Sequence, residues 1–184
     1  MEYPITIAGL KRQLPICPIN ENLSIGAFIM FGDTELTEAC AEELLKRAPE
    51  FDVLVTAESK GIPLVCSMSR LSGKGKYVLA RKSVKLYMKD VVSSTVKSIT
   101  TAADQTLYLD GSDAAYLKGK KVLIVDDVIS TGASLIALEK LVNETGGEII
   151  GRMAVLAEGD AIGREDIVVL ENLPLFHSDG TPMQ

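Results

Sequence analysis

Four apolar residues, Val122, Leu123, Ile124 and Val125, run directly into two carboxylates, Asp126 and Asp127, and then into Ser130, Thr131, Gly132, Ala133 and Ser134. The apolar run reads as a strand buried on both faces. Beyond the hydroxyl-rich stretch, Leu135, Ile136, Leu138, Leu141 and Val142 recur at helical spacing, and Gly146 and Gly147 end that pattern. The order is therefore strand, acidic pair, small loop, helix. Free N–H groups and the positive dipole end at such a helix start favour an anion. The aspartates lie where the strand leaves the sheet. There they can accept hydrogen bonds from sugar hydroxyls or hold a hydrated Mg²⁺. One short segment can thus hold both ends of a sugar phosphate.

The rest of the chain alternates strands with helices. Asp33 or Thr34 caps a helix running to about Ala48, with Leu36, Cys40, Leu44 and Ala48 on one face and Pro49 as its stop. Residues 53–57, 77–80, 149–157 and 167–170 read as further strands, and 63–70 as a second helix. This alternation implies an α/β fold, a mainly parallel sheet flanked by helices. Ligands of such sheets sit at the carboxyl ends of the strands, so the loops beginning at Glu58, Arg81, Asp126 and Glu158 are expected on one rim. A chain of 184 residues suits a single domain spanning 1–184. Within it, residues 1–32, with Pro4, Pro15, Pro18 and Gly26, read as a small irregular or β-containing cap. Residues 81–106 read as a long mobile loop with the character of a β-hairpin.

Composition narrows the partners. No apolar run approaches the roughly 20 residues that cross a bilayer, and the N-terminus lacks a basic region followed by an apolar core. A cytoplasmic protein with no membrane partner is expected. Cys17, Cys40 and Cys66 show no paired metal spacing and read as buried free thiols in a reducing compartment. The net charge of −6 argues against nucleic acid as a partner. It also hides an asymmetry. Between Lys74 and Lys97, seven cations face one anion, Asp90, a local excess of 6 that leaves −12 on the remainder. Such a stretch beside an anion-binding loop suits a small polyanionic substrate.

Two further constellations support that reading. Glu58, Ser59, Lys60 and Gly61 lie between a buried strand and a helix. Gly61 allows close approach of backbone to ligand, and Lys60 can lend charge to a phosphate or hold the loop. Arg81 and Lys82 directly follow another strand, which can fix them at the rim. His177, the single histidine, sits in a polar tail and reads as having no chemical role.

The run from Val122 to Ser134 resembles the phosphoribosyl pyrophosphate signature of type I phosphoribosyltransferases. The Glu58–Gly61 loop is similar to the pyrophosphate loop of the purine enzymes of that family. The resemblance extends from about Gly26 to Leu175. It implies a Rossmann-like core with a small N-terminal hood and a flexible hairpin that closes over the site. It also implies a homodimer, Mg²⁺ as cofactor, and a purine base and phosphoribosyl pyrophosphate as small-molecule substrates. By the same resemblance, Asp126 and Asp127 are the catalytic pair that holds the ribose hydroxyls. Residues Ser130, Thr131, Gly132, Ala133 and Ser134 cradle the 5′-phosphate, while Glu58, Ser59, Lys60, Gly61, Arg81 and Lys82 bind pyrophosphate. Mg²⁺ is held mostly through substrate and water, with Asp127 as the protein oxygen open to it.

Adenine is the first choice of base. The segment from Gly26 to Asp33 resembles the base-pocket region of adenine enzymes, and Ala157, Glu158, Gly163, Arg164 and Glu165 resemble their late segment. Met30 and Phe31 match positions that touch the base, or are core residues of the cap. Glu158 reads a base edge or serves structure. Gly32 stands where adenine enzymes usually have Arg, and the run from Val96 to Thr101 lacks their loop glutamate. Xanthine or hypoxanthine/guanine is thus the alternative base. The alternative class is a non-catalytic regulator that senses phosphoribosyl pyrophosphate.

Overall fold

A computed structural model describes residues 1–96 and 105–183. The centre is a five-stranded sheet made from β4 (Val53–Ala57), β5 (Tyr77–Ala80), β8 (Lys121–Ile129), β9 (Glu148–Glu158) and β10 (Val168–Leu173), in the order β10-β9-β8-β4-β5. Every pairing in it is parallel. The α/β expectation holds, and the cause is visible in β8. Leu123 and Val125 enter one core with α1 (Thr34–Arg47), α2 (Ile62–Leu71) and the N-terminal segment. Val122 and Ile124 enter the opposite core with α3 (Gly111–Leu117) and α4 (Ala133–Thr145). Alternate residues of one strand thus feed two cores, as its unbroken apolar run requires.

Several boundaries differ from the sequence reading. The central strand does not stop at Val125. It continues through both aspartates to Ile129, because the backbone still pairs with β9 (Asp126 opposite Ala154, Val128 opposite Leu156). Of the two readings of residues 1–32, irregular or β-containing, the second holds. These residues hold a three-stranded antiparallel sheet of β1 (Glu2–Ile7), β2 (Leu10–Pro18) and β3 (Ser24–Gly26). In the stretch read as a mobile loop, β6 (Val92–Val96) and β7 (Gln105–Leu109) pair as an antiparallel hairpin. Residues 97–104 of that reading lie outside the described residues. The short helix α3 was not expected. The thiol reading is corrected in part: Cys40 is buried, whereas Cys17 and Cys66 are exposed.

The N-terminal sheet is tied to the core at Asp33. Its carboxylate accepts the backbone N–H of Leu36 at 3.0 Å, capping α1, and pairs with Arg12 of β2 at 2.6 Å. Arg12 therefore holds the Asp33 carboxyl below its ordinary range, with the Leu36 N–H acting in the same direction. A lowered carboxyl contributes stability above its unfolded-state value and loses it as pH falls through the lowered one. Asp33→Ala is expected to cost about 1 kcal/mol from the cap alone. Asp33→Asn should retain much of the cap but flatten the loss of stability in the acid range. Urea unfolding at neutral and acidic pH checks both.

Candidate active site

Because the sheet is parallel, the carboxyl ends of its strands share one rim. A cavity of about 480 Å³ opens there. Its floor is Ala57, Glu58, Ser59 and Lys60 after β4, Asp126 to Val128 and Ser130 of the β8 end, Glu158 at the end of β9, and Leu173 at the end of β10. Ile25 of β3 and Ala27, Phe28 and Ile29 just after it form a wall. Beside it lies a niche of about 40 Å³ lined by Asp126 and by residues 128–135, at the start of α4. Cavity and niche share Asp126, Val128, Ser130 and Ser134.

The niche is built for an anion. Gly132 takes φ of +78° as the N-cap of α4, a conformation in which a side chain is strained. No side chain caps this helix and no acidic residue occupies its first turn. Its first N–H groups are thus left for a ligand. The hydroxyl of Ser134 accepts a 2.9 Å hydrogen bond from the Gln105 amide of β7. Arg164 grips Asp166 through Nε and Nη2, and its Nη1 lies 3.0 Å from where a Cβ on Gly132 would sit. Neither contact was foreseen, since both arise from elements far apart in sequence.

The acidic pair is the most constrained part. The Asp127 backbone N–H donates to Asp126 Oδ1 at 2.9 Å. The Asp127 side chain is 7 % exposed, with Lys60 Nζ 3.2 Å from its Oδ2. The distance is that of an ion pair, but the alignment makes no hydrogen bond, and Oδ2 remains a buried oxygen without one. Burial pushes the Asp126 carboxyl upward, the neighbouring Asp127 charge adds to this, and Lys60 opposes it weakly. Gly61 packs against this pair. A Cβ there would collide with Thr56 Oγ1 and lie 3.2 Å from Asp126 Oδ1, so the absent side chain is a condition of the geometry.

Glu58 organises the cations. Its carboxylate accepts the backbone N–H of Lys82 at 3.0 Å and pairs with Arg81 at 3.3 Å. The Lys82 N–H is the main cause that holds this carboxyl below its ordinary range. Lys82 lines the cavity. Arg81 does not: its guanidinium turns back onto Glu58, with Nε buried and unpartnered. Glu158 reaches the rim half-buried, and burial raises its carboxyl.

Among the residues expected at the base, Glu158 lines the cavity, but Met30 and Phe31 do not. Met30 is 1 % exposed within the core, and Phe31 points outward, 51 % exposed. Phe28 and Ile29 occupy the wall instead. The residues carried no signal that separates them, since Ala27, Phe28, Ile29, Met30 and Phe31 are all apolar.

The match to a model of the phosphoribosyl transferase domain covers residues 34–179. An enzyme of Methanothermococcus okinawensis named hypoxanthine/guanine phosphoribosyltransferase is 32 % identical over 166 residues, 86 % of this chain and 85 % of that protein. One of Cenarchaeum symbiosum named adenine phosphoribosyltransferase is 34 % identical over 129 residues, 69 % of this chain and 72 % of its own length. The adenine phosphoribosyltransferase structure from Thermoanaerobacter pseudethanolicus aligns with a TM-score of 0.72 at 22 % identity, covering 86 % of this chain and 95 % of that one. The chain belongs to the phosphoribosyltransferase family. Within that family it falls on the purine branch of the type I enzymes.

The raised Asp126 carboxyl has a consequence for stability. The folded protein holds a proton that the unfolded chain releases in the ordinary carboxylate range, so this group's contribution falls as pH rises toward the raised value. Asp126→Asn keeps the acceptor for the Asp127 N–H and removes the buried charge. The variant should be more stable than the parent by about 1–3 kcal/mol at alkaline pH, with the gain vanishing in acid. Urea unfolding across the pH range checks this.

Proposed function

We propose that the chain joins adenine to 5-phosphoribosyl 1-pyrophosphate, giving adenosine 5′-monophosphate and pyrophosphate, as a purine-salvage enzyme of the cytoplasm. One observation carries the reading: an acidic pair lines a cavity that adjoins the niche at an uncapped helix start, the two sharing Asp126, Val128, Ser130 and Ser134. Asp126 and Asp127 hold the ribose 2′- and 3′-hydroxyls. The loop of Ser130, Thr131, Gly132, Ala133 and Ser134 holds the 5′-phosphate through backbone N–H groups and hydroxyls. Ser59, Lys60, Gly61 and Lys82 take the pyrophosphate, with Glu58 and Arg81 fixing the strand end that carries Lys82.

The base nitrogen bonds to C1′ as the bond from C1′ to the pyrophosphate oxygen breaks. The electron pair leaves with pyrophosphate, which takes up, directly or through water, the proton that the base nitrogen loses. The sugar becomes oxocarbenium-like, as in glycoside hydrolysis. Asp127 stabilises that positive charge, Asp126 holds a ribose hydroxyl, and the lysines stabilise the departing negative charge, so positioning and electrostatics suffice without a protein nucleophile.

Mg²⁺ fits the donors present. Asp127 Oδ2 is a buried oxygen that accepts no hydrogen bond, and carboxylate oxygen suits a hard cation. Among the described residues no group of three or more His, Cys, Asp or Glu could hold a metal ion, so Asp127 would hold it and substrate oxygens and water would supply the remaining ligands. When bound, the ion neutralises charge on the diphosphate.

The base lies against Phe28 and Ile29, with Glu158 at its edge. Away from the ribose and diphosphate end, Glu158 is, among the described residues, the one ionisable side chain on the cavity lining. A carboxylate accepts from an exocyclic amino group and repels a carbonyl oxygen, which favours a 6-aminopurine. The 32 % identity to the archaeal hypoxanthine/guanine enzyme supports those bases as the second reading. The chain acts as one domain and as a homodimer, a state supported by Val84, Leu86 and Tyr87, which are exposed together after β5.

Radiolabelled adenine, hypoxanthine, guanine and xanthine, each with phosphoribosyl pyrophosphate and Mg²⁺, test the proposal. The largest kcat/KM is expected with adenine. Preference for hypoxanthine or guanine would move the specificity, and turnover of none would favour a sensor. Asp127→Asn should keep its circular dichroism spectrum and lose turnover by at least about 100-fold; a near-normal rate would remove the Asp127 charge from the mechanism.

A further inference from the structure

Lys60 and Asp127 form an ion pair inside the site although the proposed reaction engages each of them elsewhere. The Lys60 side chain is half exposed on a flexible stem, whereas Asp127 is almost fully enclosed. The enclosed Oδ2 accepts no hydrogen bond from the described residues, and among them Lys60 is the cation paired with it.

We infer that Lys60 is a resident counter-ion that keeps a free divalent cation off Asp127 until the diphosphate substrate brings the cation with it. This rests on the phosphoribosyl-transfer reading and adds an order of binding to it. A hard divalent cation requires about six oxygens or more. The acidic pair supplies few, and among the described residues no larger cluster of ligating side chains stands nearby. The single positive charge of Lys60 also repels an incoming cation and occupies its nearest protein oxygen. A diphosphate changes both conditions. Lys60 and Lys82 line the same cavity, so diphosphate oxygens offer the ammonium a second partner. As Lys60 swings to them, Asp127 Oδ2 is released beside a ligand rich in oxygen. The cation is then admitted only in the company of the substrate, which limits idle occupation of the site by free metal.

Mn²⁺ titration, read by loss of the free-ion electron paramagnetic resonance signal in the absence of substrate, tests this. The parent protein should bind Mn²⁺ weakly. Lys60→Ala should bind it about tenfold more tightly, a modest factor because a half-exposed ammonium is screened by solvent. Lys60→Arg, which keeps the charge, should behave as the parent. The double variant Lys60→Ala/Asp127→Asn should lose the gain. Thermal melts establish that each variant folds, and Lys60→Gln replaces Lys60→Ala if the smaller side chain destabilises the loop. Unchanged Mn²⁺ affinity on removing the charge, or a gain that survives Asp127→Asn, overturns the inference. Adding phosphoribosyl pyrophosphate to the parent separates the two proposals. Read against a protein-free mixture of Mn²⁺ and the same ligand, it should lower the free-ion signal further, and no further loss would count against the phosphoribosyl reading rather than against Lys60.

Discussion

Two adjacent carboxylates held at the buried end of a central strand are costly, and the arrangement around them follows from that cost. Like charges in a poorly hydrated place repel, and each loses solvation. The structure offsets this with the Asp127 N–H on Asp126, the ammonium of Lys60, and a raised Asp126 carboxyl. What remains is an oxygen of Asp127 without a hydrogen bond. A residue pair chosen for stability alone would not look like this. The arrangement suits a ligand that brings its own donors or positive charge.

The fold delivers the remaining groups to the same place by geometry rather than by sequence proximity. Parallel strands end on one rim, so the β4 loop, the β5 end, the acidic pair and Glu158 converge although they lie many residues apart. Glu58 shows how this convergence is secured. One carboxylate binds the Lys82 backbone and the Arg81 side chain, locking the end of β5 to the loop after β4. The end of β3 and the segment after it line one side of the cavity, and the N-terminal sheet is anchored by the Arg12–Asp33 pair. At the helix start, Gly132 supplies the left-handed turn that leaves the first N–H groups of α4 facing the niche.

Much of this was legible in the residues. Val122 to Val125 could only be a strand buried on both faces, and the glycines bounding α4 marked both its ends. What escaped was decided by tertiary contacts. Aspartates are poor strand formers, yet β8 runs through both because β9 pairs alongside. Helix α3 has a capping signal in Asp110, whose carboxylate accepts the Ser112 N–H, but its seven residues carry too little periodicity to stand out. The cavity wall was placed at Met30 and Phe31 by resemblance, whereas the chain direction after β3 turns Phe28 and Ile29 toward the opening. The contacts of Gln105 with Ser134 and of Arg164 with Gly132 have no local signature. They depend on where the hairpin and the β9–β10 connection come to rest.

The most direct test is a crystal structure of the protein soaked with phosphoribosyl pyrophosphate and Mg²⁺. The account predicts the ribose hydroxyls against Asp126 and Asp127 and the 5′-phosphate on the backbone N–H groups of residues 131–134. A sugar phosphate bound elsewhere, with that helix start left to solvent, would contradict it.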